Sequence, residues 1–280
     1  MSKIRPSRII ALLPFLWGVA QGQDQSAPGT ETGRLVQTVP VADEPPPIAD
    51  EGPRASDDAP SAEDVAFEHQ RFIQLLEDRN YDEADIAAKR IIEMAIKVYG
   101  PVSHETAKAL NHLGFVQHNN EQYDAAVQNF TSAIEILETL EDRLNSSLIN
   151  PLRGLGAAQL GAGRPDQAAQ TFDRATHITH VNEGPHNLEQ VEILEAMAEA
   201  NVRLGDLDTA RDVLDRIHIL NVRHFSNDAL GLLPSLMRRA TWQHRAGYHN
   251  DERATYRRAI RIVEESAGRD DPRLIEPLLR

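Results

Sequence analysis

The sequence predicts an all-α protein whose ordered part is a solenoid of five helical hairpins followed by a partial sixth helix. Side chains of the same type return every 42 residues from about residue 61 onwards. Within each period, apolar residues follow the three- and four-residue spacing of a helix face. No alternating apolar and polar pattern of a strand runs through this region. With 280 residues, the chain is long enough for a substantial core.

The N-terminal residues have the order of a secretory signal peptide. Lys3, Arg5 and Arg8 precede an apolar stretch at 9–20, and small or polar residues follow it. This stretch is shorter than the roughly 20 apolar residues with which a helix spans a bilayer. We therefore expect a cleavable signal at 1–22 and export to the periplasm or medium of a bacterium, with an uncleaved N-terminal anchor as the alternative.

Residues 23–60 are rich in proline, alanine and acidic residues. They contain eight Asp or Glu residues and two arginines, a net charge of −6. Such a segment buries too little apolar surface to offset the entropy lost on ordering. We expect a disordered linker. The alternative, a proline-rich docking peptide, lacks the flanking basic residues of such motifs.

A leucine returns at one position of each later period, and several other columns, meaning sets of positions 42 residues apart, keep the same step. Small residues, turn glycines, alanines and bulky apolar residues each form a column, so the repeat does not depend on one residue type. The columns are Leu110, Leu152, Leu194, Leu236 and Leu278; Gly114, Gly156, Ala198 and Ala240; Gly163, Gly205 and Gly247; Ala84, Ala126, Ala168 and Ala210; and Phe130, Phe172, Leu214 and Tyr256.

Each period is predicted to fold as two helices joined by a turn. In the second period, Leu113 and Val116 share a helix face, and Gly114 lies beside them. The polar residues 119–122 end that helix, and Phe130 belongs to a second amphipathic stretch. Because one hairpin cannot bury its apolar face alone, stacked neighbours have to supply the missing contacts.

The order Leu-Gly, then Tyr, then Ala-x-x-x-Phe resembles the tetratricopeptide repeat. The second period shows it at Leu113, Gly114, Tyr123, Ala126 and Phe130. The usual period is about 34 residues, and the longer period here resembles the variant of kinesin light chains and many bacterial proteins. The resemblance implies a right-handed solenoid; a HEAT- or armadillo-like array is the alternative. The expected units are 61–99, 100–141, 142–183, 184–225 and 226–267, followed by a terminal helix at 270–280.

Four residues depart from the repeat pattern. Phe72 stands where a glycine is expected in the first period, and Glu252 stands where an alanine is expected in the fifth. We therefore expect the end units to pack less regularly. Pro151 and Pro234 fall early in the first helices of the third and fifth periods, which predicts that these helices start late or bend.

No catalytic constellation is found in the sequence. Gly154 and Gly156 lie inside a repeat helix, where close packing explains them better than a dinucleotide-binding loop does. The residues after His104 begin like a zinc-protease helix, but Lys108 stands where the second histidine is required. We expect the protein not to be an enzyme.

Metal and cofactor sites are not expected either. The chain has no cysteine, which excludes thiol nucleophiles and cysteine-based zinc sites. His177 and His180, with His186 nearby, are a candidate metal pair, but no carboxylate accompanies them and a solvent-facing position is favoured. A metal-dependent hydrolase stays as an alternative function on these histidines alone.

In the family that the sequence resembles, the first helices line the concave face and bind extended or helical peptide segments. Asparagine and arginine in such a groove can hydrogen-bond a peptide backbone or hold a carboxylate. Transferring the groove positions column by column nominates thirteen residues of the second to fifth periods. These are Lys108, Asn111, Phe115, His118, Asn150, Arg153, Glu192, Glu195, Glu199, Arg238, Thr241, His244 and Arg245.

Charge narrows the class of partner. Lys plus Arg is 29 and Asp plus Glu is 43, a net charge of −14, which argues against nucleic acid or an anionic membrane surface. Glu192, Glu195 and Glu199 form an acidic stripe in the fourth period, interpreted either as a solvated face or as a contact for a basic partner segment.

The sequence thus predicts a non-catalytic protein–protein interaction scaffold of the bacterial envelope that binds a peptide or partner protein along its concave face. The alternative is a regulatory or partner-binding portion of a larger enzyme or receptor, which the end of the sequence within a sixth repeat suggests.

Overall fold

The computed structural model describes residues 59–225 and 230–279, and every regular element in these ranges is helical. The predicted signal at 1–22 and nearly all of the predicted linker lie outside the described residues. Eleven α-helices follow one another there: α1 Ala62–Glu77, α2 Tyr81–Tyr99, α3 His104–Asn119, α4 Tyr123–Leu140, α5 Ile149–Gly161, α6 Pro165–Glu183, α7 Gln190–Leu204, α8 Leu207–His224, α9 Leu233–Arg245, α10 His249–Ala267 and α11 Ile275–Leu279.

The helices pack as a linear array. Each first helix pairs with the second helix that follows it, giving hairpins one to five (α1–α2 to α9–α10), and each hairpin packs on the next. The first helices of neighbouring hairpins also touch directly, α3 with α5 and α5 with α7. The predicted α-solenoid of five hairpins and a partial sixth helix is confirmed.

Local sequence signals explain where the helices begin. Ser61 and Asp64 form a reciprocal capping box at α1, and the Ser103 side chain accepts a hydrogen bond from the backbone of Thr106 at α3. α5 and α9 start only after short 3₁₀ segments, with Pro151 and Pro234 in their first turns. The predicted late start of these two helices is confirmed.

The turn between the two helices of each hairpin has one residue with a left-handed backbone. In the last three hairpins this residue is Gly163, Gly205 or Gly247, with φ of 75°, 80° and 78°. In the first two hairpins it is Arg79 or Glu121, with φ of 56° and 61°. These five positions are 42 residues apart, so the turn glycines of the sequence mark a conformation that all five hairpins share.

The leucine column lies in the core in hairpins three to five. Leu152, Leu194 and Leu236 are 1–2% exposed, whereas Leu110 is half-buried. Leu278 of α11 is 63% exposed, because no further helix in the described chain covers it. Leu194 packs in one cluster with residues of α8 and with Trp242 of α9, as expected for a position between stacked hairpins.

Glycines let the bulky aromatic column sit between neighbouring first helices. A Cβ atom on Gly114 would lie 3.0 Å from the Phe130 ring, and one on Gly154 of the next hairpin would lie 2.3 Å from it. Gly156 faces Phe172 in the same way, at 2.5 Å. The prediction that Gly154 and Gly156 serve packing is confirmed.

In the first hairpin, the large and the small core side chains have changed places between the two helices, so the core is still filled. Phe72 stands in the column of Gly114, and Ala88 stands in the column of Phe130. Both are buried, at 1% and 0% exposure. The first unit thus departs from the other hairpins, as expected: its aromatic ring comes from α1 rather than α2 and stacks on His112 of α3 at 5.0 Å, although the core stays filled.

A second helix-to-helix contact, a polar one, also repeats. A glutamine of the first helix accepts a hydrogen bond from a residue twelve positions later on the second helix, which holds the two helices of a hairpin in register. The pairs are Gln117 with Asn129 (2.6 Å), Gln159 with Thr171 (2.8 Å) and Gln243 with Thr255 (2.7 Å).

None of the described helices combines the length and apolar character that a bilayer crossing requires.

Candidate peptide-binding face

The candidate site is the surface formed by the first helices α1, α3, α5, α7 and α9, called here the first-helix face. The groove residues nominated from the sequence lie on α3, α5, α7 and α9. Six of those on α5, α7 and α9 form ion pairs with one another, whereas Asn111 and His118 of α3 have buried polar atoms without a hydrogen-bond partner among the described residues.

The acidic stripe of α7 is paired with arginines of the neighbouring first helices. Arg153 of α5 binds Glu192, and Arg238 of α9 binds Glu195. These contacts join hairpin three to four and hairpin four to five. The sequence left two interpretations of the stripe open, a solvated face and a contact for a basic partner segment; in the structure its charges are compensated by arginines within the array.

Glu199 is the centre of this network. Its carboxylate is nearly buried and accepts hydrogen bonds from Arg245 (2.7 and 3.1 Å) and from Arg203 (2.6 Å). Burial raises the pKa of Glu199, but the hydrogen bonds from the two guanidinium groups outweigh it and the net pKa is lowered. Burial raises the pKa of Glu195, which Arg238 offsets only in part.

Histidines occupy the corresponding face of α1 and α3, and burial keeps them neutral. The rings of His69 and His112 lie 4.8 Å apart. Burial lowers the pKa of His69 to about 4 and the pKa of His112 well below its ordinary value, and the Lys108 charge adds to both shifts. Burial also lowers the pKa of His118 to about 4. Neutral imidazoles replace the ion pairs of the later hairpins.

Four buried polar atoms of α1 and α3 have no hydrogen-bond partner among the described residues. They are Nε2 of His69, Oδ1 of Asn111, Nδ1 of His112 and Nδ1 of His118. A buried polar atom without a partner costs about 1–3 kcal/mol. These atoms have almost no surface open to solvent, so their side chains have to turn outward before an external group can bind them and recover this energy. Lys108 is exposed beside them and forms no ion pair with any described residue.

The remaining nominated residues divide between open and buried positions. Asn150 and Thr241 are exposed, and the Thr241 hydroxyl donates to the backbone of its own helix at Met237. Phe115 is only 7% exposed, so its nomination as a groove contact is corrected to a core position. His244 lies beside Glu252, at 3.0 Å.

His69 was not among the residues nominated from the sequence. It lies 42 residues before Asn111, in the same column, so the column rule that nominated Asn111 would also have nominated His69. The histidines considered for metal, His177, His180 and His186, are all exposed. They are not among the groups of three converging ligand atoms that the described residues form, and His186 contacts Arg223 instead.

Comparisons with known proteins identify the fold. Residues 73–139 match the family model of the tetratricopeptide repeat. The nearly identical TPR-like repeats of a Podosopora anserina protein described as a kinesin light chain share 13% identity with this chain at a TM-score of 0.65, covering 72% of this chain and 96% of that one. BtubC (BKLC) from P. vanneervenii shares 12% identity at a TM-score of 0.62, covering 75% and 83%. No curated protein matches the chain.

The predicted resemblance is thereby confirmed. The family model falls on α1 to α4, and the structural likeness extends the fold over most of the described array. At identities of 12–13% the likeness establishes the fold alone.

Proposed function

Because the chain has the fold of a tetratricopeptide-repeat array, we propose that it is a non-catalytic protein–protein interaction scaffold that binds an extended peptide segment on the first-helix face of α1 and α3. The observation that carries the proposal is the set of buried polar atoms on these two helices that lack partners. Peptide N–H groups are donors that fit the Asn111 carbonyl oxygen and the unprotonated nitrogens of neutral imidazoles.

The charge of this surface indicates the chemistry of the segment. Lys108 is the exposed cation beside His69 and Asn111, and its charge is not compensated by a described residue. A segment with an acidic side chain or a free carboxylate would pair with Lys108 while its backbone meets Asn111. In α7 and α9, by contrast, arginine and glutamate side chains already form ion pairs with one another. These helices therefore have fewer unpaired charges that a peptide could bind.

We also propose that the protein works in the bacterial envelope after export. The support is in the sequence: the charged, apolar and small-residue order of 1–22, and the acidic, proline-rich composition of 23–60, which suits a tether. Fusion of residues 1–22 to a periplasmic reporter enzyme tests this part. Reporter activity outside the inner membrane is expected, and activity confined to the cytoplasm contradicts export.

Peptide binding is tested with ligands selected from a random-sequence display library on the purified protein. Fluorescence anisotropy then measures the affinity of the selected peptides for the protein and for Lys108→Glu and Asn111→Leu. We expect acidic peptides, and a loss of at least about tenfold in affinity for each substitution, equivalent to about 1.4 kcal/mol. The Lys108 contribution should weaken with added salt.

Thr241→Ala is the matched control, because Thr241 is exposed on the first-helix face of α9 but bonds only within its own helix. Its affinity for the selected peptides should equal that of the unchanged protein. Peptides whose binding is indifferent to Lys108 and Asn111 but sensitive to Thr241 would move the site to the other end of the array and refute the proposal.

A further inference from the structure

Two histidines and a glutamate converge at the turn between α9 and α10. His244 lies in the last turn of α9, His249 begins α10, and Glu252 follows one turn later. The Glu252 carboxylate lies 3.0 and 3.1 Å from Nδ1 of His244 and 3.2 Å from Nδ1 of His249. The three ligand atoms all lie within 4.8 Å of one another.

The backbone of the turn brings these side chains together. Gly247 adopts a left-handed conformation, with φ of 78°, which reverses the chain between the two helices. His244 therefore ends one helix opposite the start of the next, where His249 stands. The side chains of the two histidines are 56% and 62% exposed, so their rings can reorient without disturbing the core.

Glu252 is the anomaly of its column. The four equivalent residues are alanines with at most 2% exposure, at Ala84, Ala126, Ala168 and Ala210. Glu252 places a carboxylate in this closely packed position, with its side chain 9% exposed. A carboxylate is costly to bury unless it is paired or coordinates a metal. Among the described residues, only the two imidazoles of the cluster hydrogen-bond this carboxylate.

The positively charged side chain next to His244 in the sequence, Arg245, pairs with a different glutamate. The Arg245 guanidinium binds Glu199 and stacks over the Trp242 ring at 4.7 Å. It therefore does not serve as the partner of Glu252, and compensation has to come from the histidines or from a cation that they share with it.

We propose that His244, His249 and Glu252 bind a divalent metal ion of the zinc class, which cross-links α9 to α10. Two imidazole nitrogens and a carboxylate oxygen are ligands that Zn²⁺ prefers. Tetrahedral bonds of about 2.0–2.2 Å set neighbouring ligand atoms roughly 3.3–3.6 Å apart. The 3.0–3.2 Å distances between the carboxylate and each imidazole are close to that spacing, and the two exposed imidazole rings have to turn to bring their nitrogens, which lie within 4.8 Å of each other, to the same spacing.

Three protein ligands leave the fourth tetrahedral position for water. The ion would join the end of one helix to the start of the next and so fix the fifth hairpin. This inference is independent of the proposed peptide site, which lies on α1 and α3.

The test is equilibrium dialysis of the purified, chelator-treated protein against Zn²⁺ alone. We expect about one zinc ion per chain at micromolar concentration, together with a rise in the melting temperature of the fifth hairpin. Removing a ligand with His249→Ala or Glu252→Ala should lower the zinc affinity by at least about 100-fold, beyond the 10–100-fold lost when only an outer-shell partner of a metal ligand is removed. The rise in melting temperature should disappear with it.

Glu252→Ala also keeps the test clear of misfolding, because it installs the residue that the other four hairpins carry at this position. Without zinc, its melting temperature should equal or exceed that of the unchanged protein. The control is the double substitution of His177 and His180 by alanine, which removes an exposed histidine pair on α6 and should leave zinc binding intact. Three results would overturn the proposal: zinc binding that persists in Glu252→Ala, zinc binding that is lost in the control, or no zinc binding to the unchanged protein. The last is judged at about 100 µM zinc, a concentration far above the dissociation constant of a dedicated site.

Discussion

The first two hairpins (α1–α4) and the last two (α7–α10) follow one sequence pattern but stabilise the first-helix face in different ways. In the last two hairpins, Glu195 and Glu199 bind arginines of α9. In the first two, the neutral rings of His69 and His112 lie 4.8 Å apart and leave buried nitrogens without partners among the described residues. The repeat therefore specifies the apolar contacts, while the polar face varies from hairpin to hairpin and is where function can differ.

The two regions also differ at the turn within each hairpin. Gly205 and Gly247 carry the left-handed backbone of the last two hairpins, where Arg79 and Glu121 carry it in the first two. A residue with a Cβ atom pays a conformational penalty there that glycine avoids. Both differences place the strained and unsatisfied groups at the N-terminal end of the array.

The largest effect is expected from the core, where the two regions follow the same rule. Leu194→Ala should lower the free energy of unfolding by about 2–5 kcal/mol, because this leucine is 1% exposed between stacked hairpins. Leu110→Ala, in the same column of the second hairpin, should cost less because Leu110 is half-buried. Urea unfolding followed by circular dichroism measures both changes. A loss below about 0.5 kcal/mol for Leu194 would place it at the surface and contradict the register.

Lowering the pH should destabilise the first two hairpins more than the last two. Burial lowers the pKa of His69 and His118 to about 4, and that of His112 well below 6.5. Below pH 6.5 the unfolded chain takes up protons that the native imidazoles do not, so stability falls as the pH drops from about 6.5 towards 4. His112 and His118 each contribute up to about 1.4 kcal/mol per pH unit in that window, and His69, which is partly exposed, contributes less.

Hydrogen exchange of the native protein at several pH values measures this loss hairpin by hairpin. The opening free energy of α1–α4 should fall faster with acid than that of α7–α10, where burial lowers the pKa of His218. His112→Gln should reduce the slope of the first two hairpins, whatever its effect on stability at pH 7. Equal slopes for the two regions would show that the buried histidines do not distinguish them.

The 42-residue period was sufficient to predict where the helices begin and which apolar residues form the core. Second helices begin at Tyr81, Tyr123, Pro165, Leu207 and His249, each 42 residues after the last. Such regularity is predictable because stacking requires the same side chain at the same height in every hairpin. The departure at Phe72 was expected, but its compensation was not: Phe72 on α1 and the small Ala88 on α2 are both buried and together fill the core, and a single column shows only one of the two helices.

The sequence predicted which polar residues lie on the first helices, but not which of them form ion pairs with one another. The groove residues were nominated within single periods, yet Arg153 reaches Glu192 and Arg245 reaches Glu199, 39 and 46 residues away. Separations of one repeat, plus or minus a helical turn, are where a solenoid brings charges together. Glu252 was interpreted as a packing irregularity, because its two histidine neighbours belong to other columns.

Removing the central carboxylate of the charged network should have an intermediate effect. Glu199→Gln replaces charge-assisted hydrogen bonds by neutral ones and should destabilise the fourth and fifth hairpins by about 1–2 kcal/mol, with the partial exposure of Arg203 and Arg245 reducing the loss. Glu192→Gln is the control, since its side chain is 43% exposed and its ion pair should contribute less than about 0.5 kcal/mol. Thermal unfolding at neutral pH compares them, and equal effects would mean that the network is not centred on Glu199.

The smallest effect is expected at the turns, and it should be a gain in the first two hairpins. Glu121→Gly relieves the left-handed strain of a residue with a Cβ atom, about 1–2 kcal/mol, against an entropic cost of about 0.5–1 kcal/mol for glycine. A net stabilisation of about 0.5–1 kcal/mol follows, because the exposed Glu121 side chain bonds to no described residue.

Gly205→Ala is the reverse change in the fourth hairpin. A Cβ atom there meets nothing within 4 Å, so the backbone strain alone should destabilise the protein, by about 1 kcal/mol. Urea titration of both variants measures the two signs. Destabilisation by Glu121→Gly would mean that the second hairpin draws support from a contact of this glutamate. Opposite signs would instead show that the N-terminal hairpins keep a strain that the later hairpins avoid with glycine.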